Sequence, residues 1–246
     1  MSRVLYVPLA SAIYLLFFAT FLYLVGFVAG LPTLPTNVDK GLAAAPLNAT
    51  VVDLALIALF GLQHSVMARP GFKAVWTMIV PKPIERSVYV LAASLALILL
   101  FALWRPIAGT VWQVDAPAAR ILLWVVFAAG WGIVLLSTFL INHFELFGLS
   151  QVIRNLRNLQ PAAPELRMPF FYKLVRHPLY AGFFIAFWAT PTMSYGHLLL
   201  AVGMSVFMLI AIQYEERDLV DVFGKDYVDY RQRVGMLTPR RGRVRS

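Results

Sequence analysis

The sequence predicts an all-α integral membrane protein, with four transmembrane helices followed by a C-terminal helical hairpin. Of the 246 residues, 60% are hydrophobic and only 13% are charged. Long apolar stretches recur along the chain, and the basic residues cluster between alternate stretches. Soluble domains are about half apolar and about a quarter charged, so a water-soluble fold could not hide this much apolar surface. We therefore expect a single membrane domain over residues 1–246.

The first four spans follow directly from the apolar stretches. A helix needs about 20 mostly apolar residues to cross the hydrocarbon layer. The predicted spans are, in order, Val4–Leu31, Thr50–Met67, Ser87–Trp104 and Ile121–Ile141. The first stretch is much longer than the roughly 7–15-residue core of a secretory signal, so we expect it to be retained. These spans form residues 1–142, and residues 143–246 contain a polar loop, the hairpin and a tail.

The hairpin is predicted from a fifth apolar stretch, Pro178–Tyr214, which is too long for one helix. A run of turn-forming residues, 191–196, lies near its middle. We therefore expect a short arm over Pro178–Thr190 and a longer arm that begins at His197. At about 1.5 Å per residue the short arm reaches only about 20 Å, so it must start below the membrane surface or tilt little.

The distribution of basic residues predicts the orientation of the chain. All but three of the 21 Lys and Arg residues fall on one side of the predicted spans, the exceptions being Lys40, Arg105 and Arg120. Because cytoplasmic loops carry the excess of basic residues, we expect both termini to face the cytoplasm. The formal charge of +9 thus reflects membrane orientation and contacts with lipid, and nucleic acid is not an expected partner.

Two polar regions, Asn142–Arg176 and Glu215–Ser246, flank the hairpin in sequence and should meet at its cytoplasmic mouth. His64, His143 and His177 are predicted at cytoplasmic helix ends, where ionisable groups are often functional. For a single histidine, an anchoring role at the interface is equally compatible with this position. The absence of cysteine excludes a disulfide framework, thiolate metal sites and a cysteine nucleophile.

The residues on both sides of the hairpin suit a zwitterionic, cationic and aromatic ligand. Pro178 fits the first turn of a helix, whose N–H groups favour a carboxylate. Gly182 permits a close approach of another group to the backbone. Glu215 and Glu216 place negative charge where an ammonium or sulfonium group would bind. Aromatic faces for a purine or a cation are available from Tyr172, Tyr180 and Tyr214. S-adenosylmethionine has these properties.

These flanks resemble the C-terminal signature of the isoprenylcysteine carboxyl methyltransferase and phospholipid methyltransferase superfamily. The matching pattern is Arg-His-Pro-x-Tyr-x-Gly at 176–182, the hairpin, Glu215–Glu216, and Phe-Gly-x-x-Tyr-x-x-Tyr at 223–230. The resemblance implies S-adenosylmethionine as the cofactor, held in a cytoplasmic pocket above the hairpin. It implies that the residues lining this pocket are Tyr172, His177, Pro178, Tyr180 and Glu215, with Gln151 from the preceding loop.

The N-terminal half narrows the resemblance further. Residues 63–70 (Gln-His-Ser-Val-Met-Ala-Arg-Pro), 85–89 (Glu-Arg-Ser-Val-Tyr) and 142–149 (Asn-His-Phe-Glu-Leu-Phe-Gly-Leu) resemble the bacterial methanethiol S-methyltransferases. That resemblance implies conversion of methanethiol to dimethyl sulfide in the bacterial inner membrane. Where the prenylcysteine enzymes carry a substrate-contacting arginine, four positions before the first glutamate, this chain has Ala211. An alanine suits a substrate without a carboxylate.

Methylation of a small thiol requires an activated sulfur, because a thiol with a pKa of about 8.5 is only a few per cent thiolate at neutral pH. Two schemes of activation are open, and simple positioning of the thiol is a third alternative. In the first, His64 or His143 acts as a general base. In the second, His64, His143 and Glu145 hold a divalent metal that binds the thiolate. Arg69 and Tyr89 are candidates for orienting groups, although they also suit a role as interface anchors.

Other functions remain open at this point. A phospholipid or prenylcysteine methyltransferase would share the same fold, although Ala211 disfavours a carboxylate substrate. A non-catalytic membrane protein linked to nitrogen-oxide metabolism would keep the fold without the activity. A channel or transporter is disfavoured, because no charge is expected at the middle of a span.

Overall fold

The computed structural model describes residues 3–160, 163 and 165–240. The described helices are α1 (Tyr6–Val28), α2 (Pro46–Ala68), α3 (Pro70–Trp76), α4 (Lys82–Leu103), α5 (Pro117–Ile141), α6 (His143–Leu146), α7 (Leu149–Leu156), α8 (Pro178–Trp188), α9 (Tyr195–Phe223) and α10 (Lys225–Arg233). Short 3-10 helices cover Arg3–Leu5 and Phe170–Lys173, and the strands are β1 (Thr110–Gln113) and β2 (Thr192–Ser194). Residues 161, 162, 164 and 241–246, which belong to the two polar regions, lie outside the described residues.

The predicted membrane spans are confirmed. Within the described residues, five helices are long and apolar enough to cross a membrane: Arg3–Val28, Pro46–Ala68, Lys82–Leu103, Pro117–Ile141 and Tyr195–Phe223. The short arm of the hairpin is α8, which has 11 residues and is therefore about 17 Å long. The long arm, α9, begins two residues before the predicted start and continues past Glu215 and Glu216 to Phe223.

Proline explains why many of these helices start where they do. Proline occupies the first or second position of α2, α3, α4, α5 and α8. The first N–H groups of a helix have no acceptor within the helix, so proline, which lacks an N–H, loses no hydrogen bond there. Its fixed φ also suits the helical conformation. The structure therefore begins α2 at Pro46 and α5 at Pro117, four residues before the predicted spans in each case. The additional residues belong to the polar ends of the same helices.

The predicted turn of the hairpin contains a strand that the sequence analysis did not anticipate. β2 pairs antiparallel with β1, the segment between α4 and α5, with Thr110 opposite Ser194 and Gln113 opposite Thr192. Val114 N–H extends the ladder by donating to Pro191 O at 2.9 Å. Three- and four-residue strands have no periodicity strong enough to be recognised locally, so this pairing is visible only in the fold.

The described residues fall into two compact units. The first unit lies within Met1–Val114, Phe144–Pro161 and Pro191–Met204, and the second within Asp115–His143, Ala162–Thr190 and Ser205–Ser246. In the first unit α4 packs against both α1 and α2, and the amphipathic helix α7 packs against α1 and α4. One buried cluster there joins Tyr6, Ala10, Ile84 and Val152, so α7 is anchored by its apolar face.

In the second unit α5 and α8 pack closely because two glycines face each other. A Cβ at Gly182 would lie 2.7 Å from Gly130 O, and a Cβ at Gly130 would lie 2.9 Å from Gly182 O. The close approach predicted for Gly182 is therefore present, but the group that approaches it is the backbone of α5. Aromatic rings flank this contact, with Trp131 5.6 Å from Phe183 and 6.0 Å from Phe187 between ring centroids.

The sequence analysis overlooked Asp53, an acidic residue inside the second predicted span. Asp53 is fully buried near the start of α2, and its Oδ1 accepts a hydrogen bond from Arg105 N–H at 3.0 Å. Arg105 follows the end of α4, and neighbouring Trp104 donates from Nε1 to Val38 O at 2.9 Å. Asp53 therefore fixes the chain where α4 ends in the first unit, which gives this buried carboxylate a structural role.

Candidate functional site

The centre of the candidate site is a buried ion cluster around Glu216, in the second unit. The Arg176 guanidinium contacts Glu216 Oε1 twice, from Nε and from Nη2, at 2.7 Å in each case. His177 Nε2 lies 3.1 Å from the same oxygen. Arg231 Nη1 is 3.8 Å from Glu216 Oε2. Glu216 and His177 are both buried. A buried carboxylate needs charged or hydrogen-bonding partners, and these contacts supply them.

The neighbouring Glu215 has different surroundings. Its Oε2 accepts a hydrogen bond from the Tyr180 hydroxyl at 3.0 Å, and its side chain is only partly buried. The ring centroids of His177 and Tyr180 are 5.7 Å apart, and the ring planes meet at 61°. Consecutive helical residues point in directions about 100° apart. The Glu216 side chain is therefore buried, whereas Glu215 forms a partly exposed polar pair with Tyr180.

A segment at the end of the described chain, residues 230–236, holds the motif residues in place. Arg176 N–H donates to Gly235 O at 2.8 Å, and His177 N–H donates to Met236 O at 3.1 Å. Arg176 Nη1 also donates to Val234 O at 2.5 Å. Gly235 is needed here, because a Cβ would lie 1.9 Å from Thr238 O. We call residues 230–236 the clasp.

Two tyrosines strengthen the clasp. The Tyr230 hydroxyl donates to Tyr172 O at 2.5 Å. Burial raises the pKa of Tyr230 to about 12, an effect that Arg176 opposes and Glu216 reinforces. Burial also raises the pKa of Tyr172, with a further contribution from the charge of Glu215. Tyr230 thus keeps the proton that it donates at any physiological pH.

A cavity of about 340 Å³ opens beside the ion cluster. It lies within the second unit and is lined by Arg176, Gln213, Glu216, Arg231, Gln232, Met236 and Arg240. Ligand pockets usually span about 300–1,000 Å³, so this volume is at the small end of the range. Its lining combines three guanidinium groups with one carboxylate and two amides, which suits a polar ligand that carries an anionic group.

His143, a predicted thiol-activating residue, is also in the second unit. It is buried and stacks on Phe139, with ring centroids 4.1 Å apart and planes 4° apart. Its Nδ1 lies 2.7 Å from the Thr138 hydroxyl, which in turn donates to Leu135 O at 2.6 Å. Burial lowers the pKa of His143, so the neutral ring is favoured.

The two hydrogen bonds of Thr138 favour one tautomer of His143. A threonine hydroxyl has a single proton, and Leu135 O, 2.6 Å away, can only accept it. The hydroxyl oxygen is then the acceptor toward His143, so Nδ1 carries the ring proton and Nε2 carries the lone pair. A neutral, oriented imidazole with an unprotonated Nε2 is the form that a general base requires.

The other predicted catalytic residues belong to the first unit. The His64 ring lies 5.1 Å from that of Tyr89 and 5.4 Å from that of Phe60. Tyr89 is buried, its hydroxyl donates to His64 O at 3.4 Å, and the Arg86 guanidinium lies 4.8 Å above its ring. Arg69 Nε donates to Ser65 O at 3.2 Å. The structure therefore brings His64 of α2 and Tyr89 of α4 together. Arg69 directly follows the end of α2.

Gln151 and Glu145, which were assigned to the cofactor and to a metal, are in the first unit as well. Gln151 Nε2 donates to Glu145 O at 2.9 Å. The Gln151 Oε1 atom is buried and has no hydrogen-bond partner in the described part of the chain. Among the residues that the structure describes, no group of three or more His, Asp or Glu side chains is arranged to hold a metal ion. The metal scheme therefore gains no support from the fold.

No individual role was predicted for Arg176, Tyr230 or Thr138, and Glu216 was predicted, together with Glu215, to face an ammonium or sulfonium group. Arg176 and Glu216 were part of the recognised motifs, but a motif does not reveal which of two adjacent glutamates is buried. Thr138 stands five residues before His143, a spacing that carries no recognisable signal. These residues become visible only when their partners are known.

The fold and the ion cluster together define an all-α integral membrane protein with a polar site held at the ends of its last two apolar helices. The chain is 51% identical over 233 residues to methanethiol S-methyltransferase 1 of Bradyrhizobium diazoefficiens, covering 95% of this chain and 81% of the relative. It is 50% identical over 233 residues to the methanethiol S-methyltransferase of a Pseudomonas species, covering 95% and 89% of the two chains. The chain belongs to the methanethiol S-methyltransferase family.

A more distant similarity extends beyond the bacterial enzymes. The chain is 30% identical over 237 residues to nurim of Pan troglodytes, covering 87% of this chain and 89% of that relative. No protein-family model and no solved structure matches the chain. Membership of the family rests on the bacterial relatives, whose similarity covers almost the whole chain.

Proposed function

We propose that this chain methylates methanethiol to dimethyl sulfide with S-adenosylmethionine as the methyl donor. The observation that carries the proposal is identity at about half of all positions, along nearly the whole chain, to relatives named methanethiol S-methyltransferase. Ala211 is consistent with this substrate, because methanethiol has no carboxylate that would need an arginine at that position.

We assign the methyl donor to the second unit, where Tyr172, His177, Pro178, Tyr180 and Glu215 lie. S-adenosylmethionine supplies an electrophilic methyl group on a sulfonium and carries a carboxylate and an ammonium. The cavity beside Glu216 matches the carboxylate, since it is lined by guanidinium groups. The Glu215 carboxylate, oriented by Tyr180, matches the ammonium. The prediction that Gln151 also contacts the donor is retained, and its Oε1 is buried without a hydrogen-bond partner among the described residues.

We assign thiol activation to His143. His143 lies in the same unit as the proposed donor residues, and its contact with Thr138 supports a ring with the proton on Nδ1 and the lone pair on Nε2. His143 Nε2 would take the thiol proton, and bound S-adenosylmethionine would supply the methyl group to the thiol sulfur and leave as the neutral thioether. General-base assistance of this kind contributes about 100- to 10,000-fold. His64, Arg69 and Tyr89 stay predicted catalytic residues.

We place the protein in the bacterial inner membrane with both termini in the cytoplasm. The strong bias of Lys and Arg toward one side of the spans supports this orientation. An apolar substrate such as methanethiol also dissolves in the bilayer, so a membrane location brings the enzyme to its substrate.

Headspace analysis tests the function. Purified protein in detergent, supplied with S-adenosylmethionine and methanethiol, should release dimethyl sulfide, whereas a His143→Ala preparation of equal folded content should release far less. Methylation of added phosphatidylethanolamine without dimethyl sulfide would replace the proposal by a phospholipid methyltransferase. If neither product formed, although the wild-type protein remained folded, the enzymatic proposal would be wrong.

A further inference from the structure

The connection between α2 and α4 exposes an unusual amount of apolar surface. This segment, residues 69–81, which we call the elbow, contains the short helix α3 and the turns that follow it. Val75 is 59% exposed, Met78 is 77% exposed and Ile79 is 78% exposed. From residue 74 to residue 81 the sequence contains no charged side chain. Adjacent apolar side chains exposed to this degree indicate a surface that contacts something other than water.

The backbone N–H groups of residues 77–80, where the elbow is most apolar, all donate to carbonyl groups of the elbow itself. Thr77 N–H donates to Lys73 O at 2.9 Å, and Met78 N–H donates to Val75 O at 3.1 Å. Ile79 and Val80 both donate to the carbonyl of Trp76, at 3.0 and 2.9 Å. Entry into the bilayer requires that backbone polar groups have partners inside the protein. The N–H groups of Met78 and Ile79, whose side chains are the most exposed in the elbow, meet this requirement.

The position of the elbow is restricted by the helices on either side of it. α2 ends at Ala68 and α4 begins at Lys82, and both helices are long and apolar enough to cross a membrane. The segment that joins them must therefore lie at the membrane surface. Basic residues bracket its apolar centre, namely Lys73 on one side and Lys82 on the other. An apolar centre between two basic residues favours binding to a membrane surface, where anionic headgroups lie above the apolar acyl layer.

We propose that the elbow is a membrane-inserted element that binds anionic lipid. Met78 and Ile79 enter the acyl layer, and Lys73 and Lys82 contact the phosphates of anionic headgroups. The bilayer is the occupant of this surface rather than a second copy of the chain, because the elbow joins two helices long and apolar enough to cross a membrane and carries basic residues on both sides of its apolar centre.

The absence of cysteine from the chain allows a direct measurement of depth. Single variants Met78→Cys and Ile79→Cys would each carry a spin label in nanodiscs of phosphatidylcholine with phosphatidylglycerol. Leu62→Cys, at an exposed apolar position of α2, serves as the lipid reference. Asp226→Cys, on the exposed surface of α10, serves as the aqueous reference. We expect both elbow labels to collide with oxygen as the Leu62 label does and to be protected from a water-soluble nickel chelate.

The lipid preference is tested with Lys73→Gln/Lys82→Gln. Competition between spin-labelled phosphatidylglycerol and phosphatidylcholine should show a selectivity for the anionic lipid that falls about fivefold per lysine removed, whereas Lys225→Gln in α10 should leave it unchanged. Nickel accessibility equal to that of the Asp226 label would overturn the insertion. Dipolar coupling between elbow labels on two copies would assign the surface to a dimer contact instead, and an unchanged selectivity would remove the anionic-lipid site.

Discussion

At the scale of single residues, the adjacent glutamates of α9 have distinct roles that their sequence does not separate. Glu216 is surrounded by Arg176, His177 and Arg231, whereas Glu215 meets Tyr180 at a partly open position. A buried carboxylate with this many cationic partners stabilises the fold. A partly exposed one remains available to a ligand.

Replacing Glu216 should therefore damage stability, whereas replacing Glu215 should damage ligand binding. Glu216→Gln leaves the buried Arg176 guanidinium without its counter-charge, a change that typically costs about 3–5 kcal/mol. We expect a clear fall in the thermal unfolding midpoint in detergent. Glu215→Gln should retain the wild-type midpoint but raise the KM for the methyl donor. Glu165→Gln, which breaks the exposed Arg167–Glu165 pair, is the control and should change the midpoint little. A Glu216→Gln protein as stable as wild type would contradict this assignment.

Thr138 gives a test of the proposed base that is separate from stability. Thr138→Val keeps the shape of the side chain but removes the acceptor for the His143 Nδ1 proton. Because the ring then loses its preferred tautomer, we expect kcat to fall about tenfold or more, with the KM for the methyl donor unchanged. Thr138→Ser should restore kcat. The ¹⁵N chemical shifts of His143 should show the Nδ1–H tautomer in wild type and Thr138→Ser, and a mixture in Thr138→Val. Equal rates in all three proteins would rule out a role for this hydroxyl in catalysis.

At the scale of elements, the apolar runs were enough to predict every long helix, because hydrocarbon thickness sets both their length and their composition. Helix ends were harder to place, since residues such as Pro46 and Pro117 start α2 and α5 outside the apolar core of the span. The β1–β2 pair was not predicted, because its register depends on Thr110 and Ser194 meeting across 84 residues of chain. Local pattern contains no information about such a pairing.

The α5–α8 contact depends on Gly182 and Gly130, and this is testable by adding a single methyl group. Gly182→Ala would place a Cβ 2.7 Å from Gly130 O and 2.9 Å from Val134, so the helices must separate. Overpacking of this kind costs about 1–3 kcal/mol, and we expect a lower unfolding midpoint in detergent. Gly132→Ala is the matched control, because a Cβ at that position of α5 meets nothing within 4 Å. Since alanine favours a helix over glycine by up to about 1 kcal/mol, this control should be at least as stable as wild type. Equal destabilisation by both variants would argue against a specific contact.

At the scale of the whole molecule, the sequence predicted that the flanks of the hairpin carry the site, but it did not predict the contacts that hold these flanks. His177, Tyr180 and Glu215 were identified because the motifs bring their residue types together on both flanks of the hairpin. The clasp was not identified from the sequence, because Gly235 and Met236 contribute only backbone carbonyls to Arg176 and His177. Any residue has a carbonyl, so the sequence gives no indication of this role. The predicted single domain and the donor and thiol sites stay predictions that require the experiments above.

The clasp connects the end of the described chain to the proposed methyl-donor site, so its removal should affect binding rather than membrane insertion. A chain that ends at Arg233 lacks the Val234, Gly235 and Met236 carbonyls that hold Arg176 and His177. The transmembrane helices remain complete in that chain, because the last of them ends at Phe223. We therefore expect the truncated protein to insert and to elute as wild type in size-exclusion chromatography, but to lose measurable binding of S-adenosylmethionine in calorimetry. A chain that ends at Arg240 keeps every described clasp contact and should bind as the full chain does. If the shorter chain bound the donor with unchanged affinity, the clasp would be unnecessary for that site, and the positions of Arg176 and His177 would have to be determined by Glu216 alone.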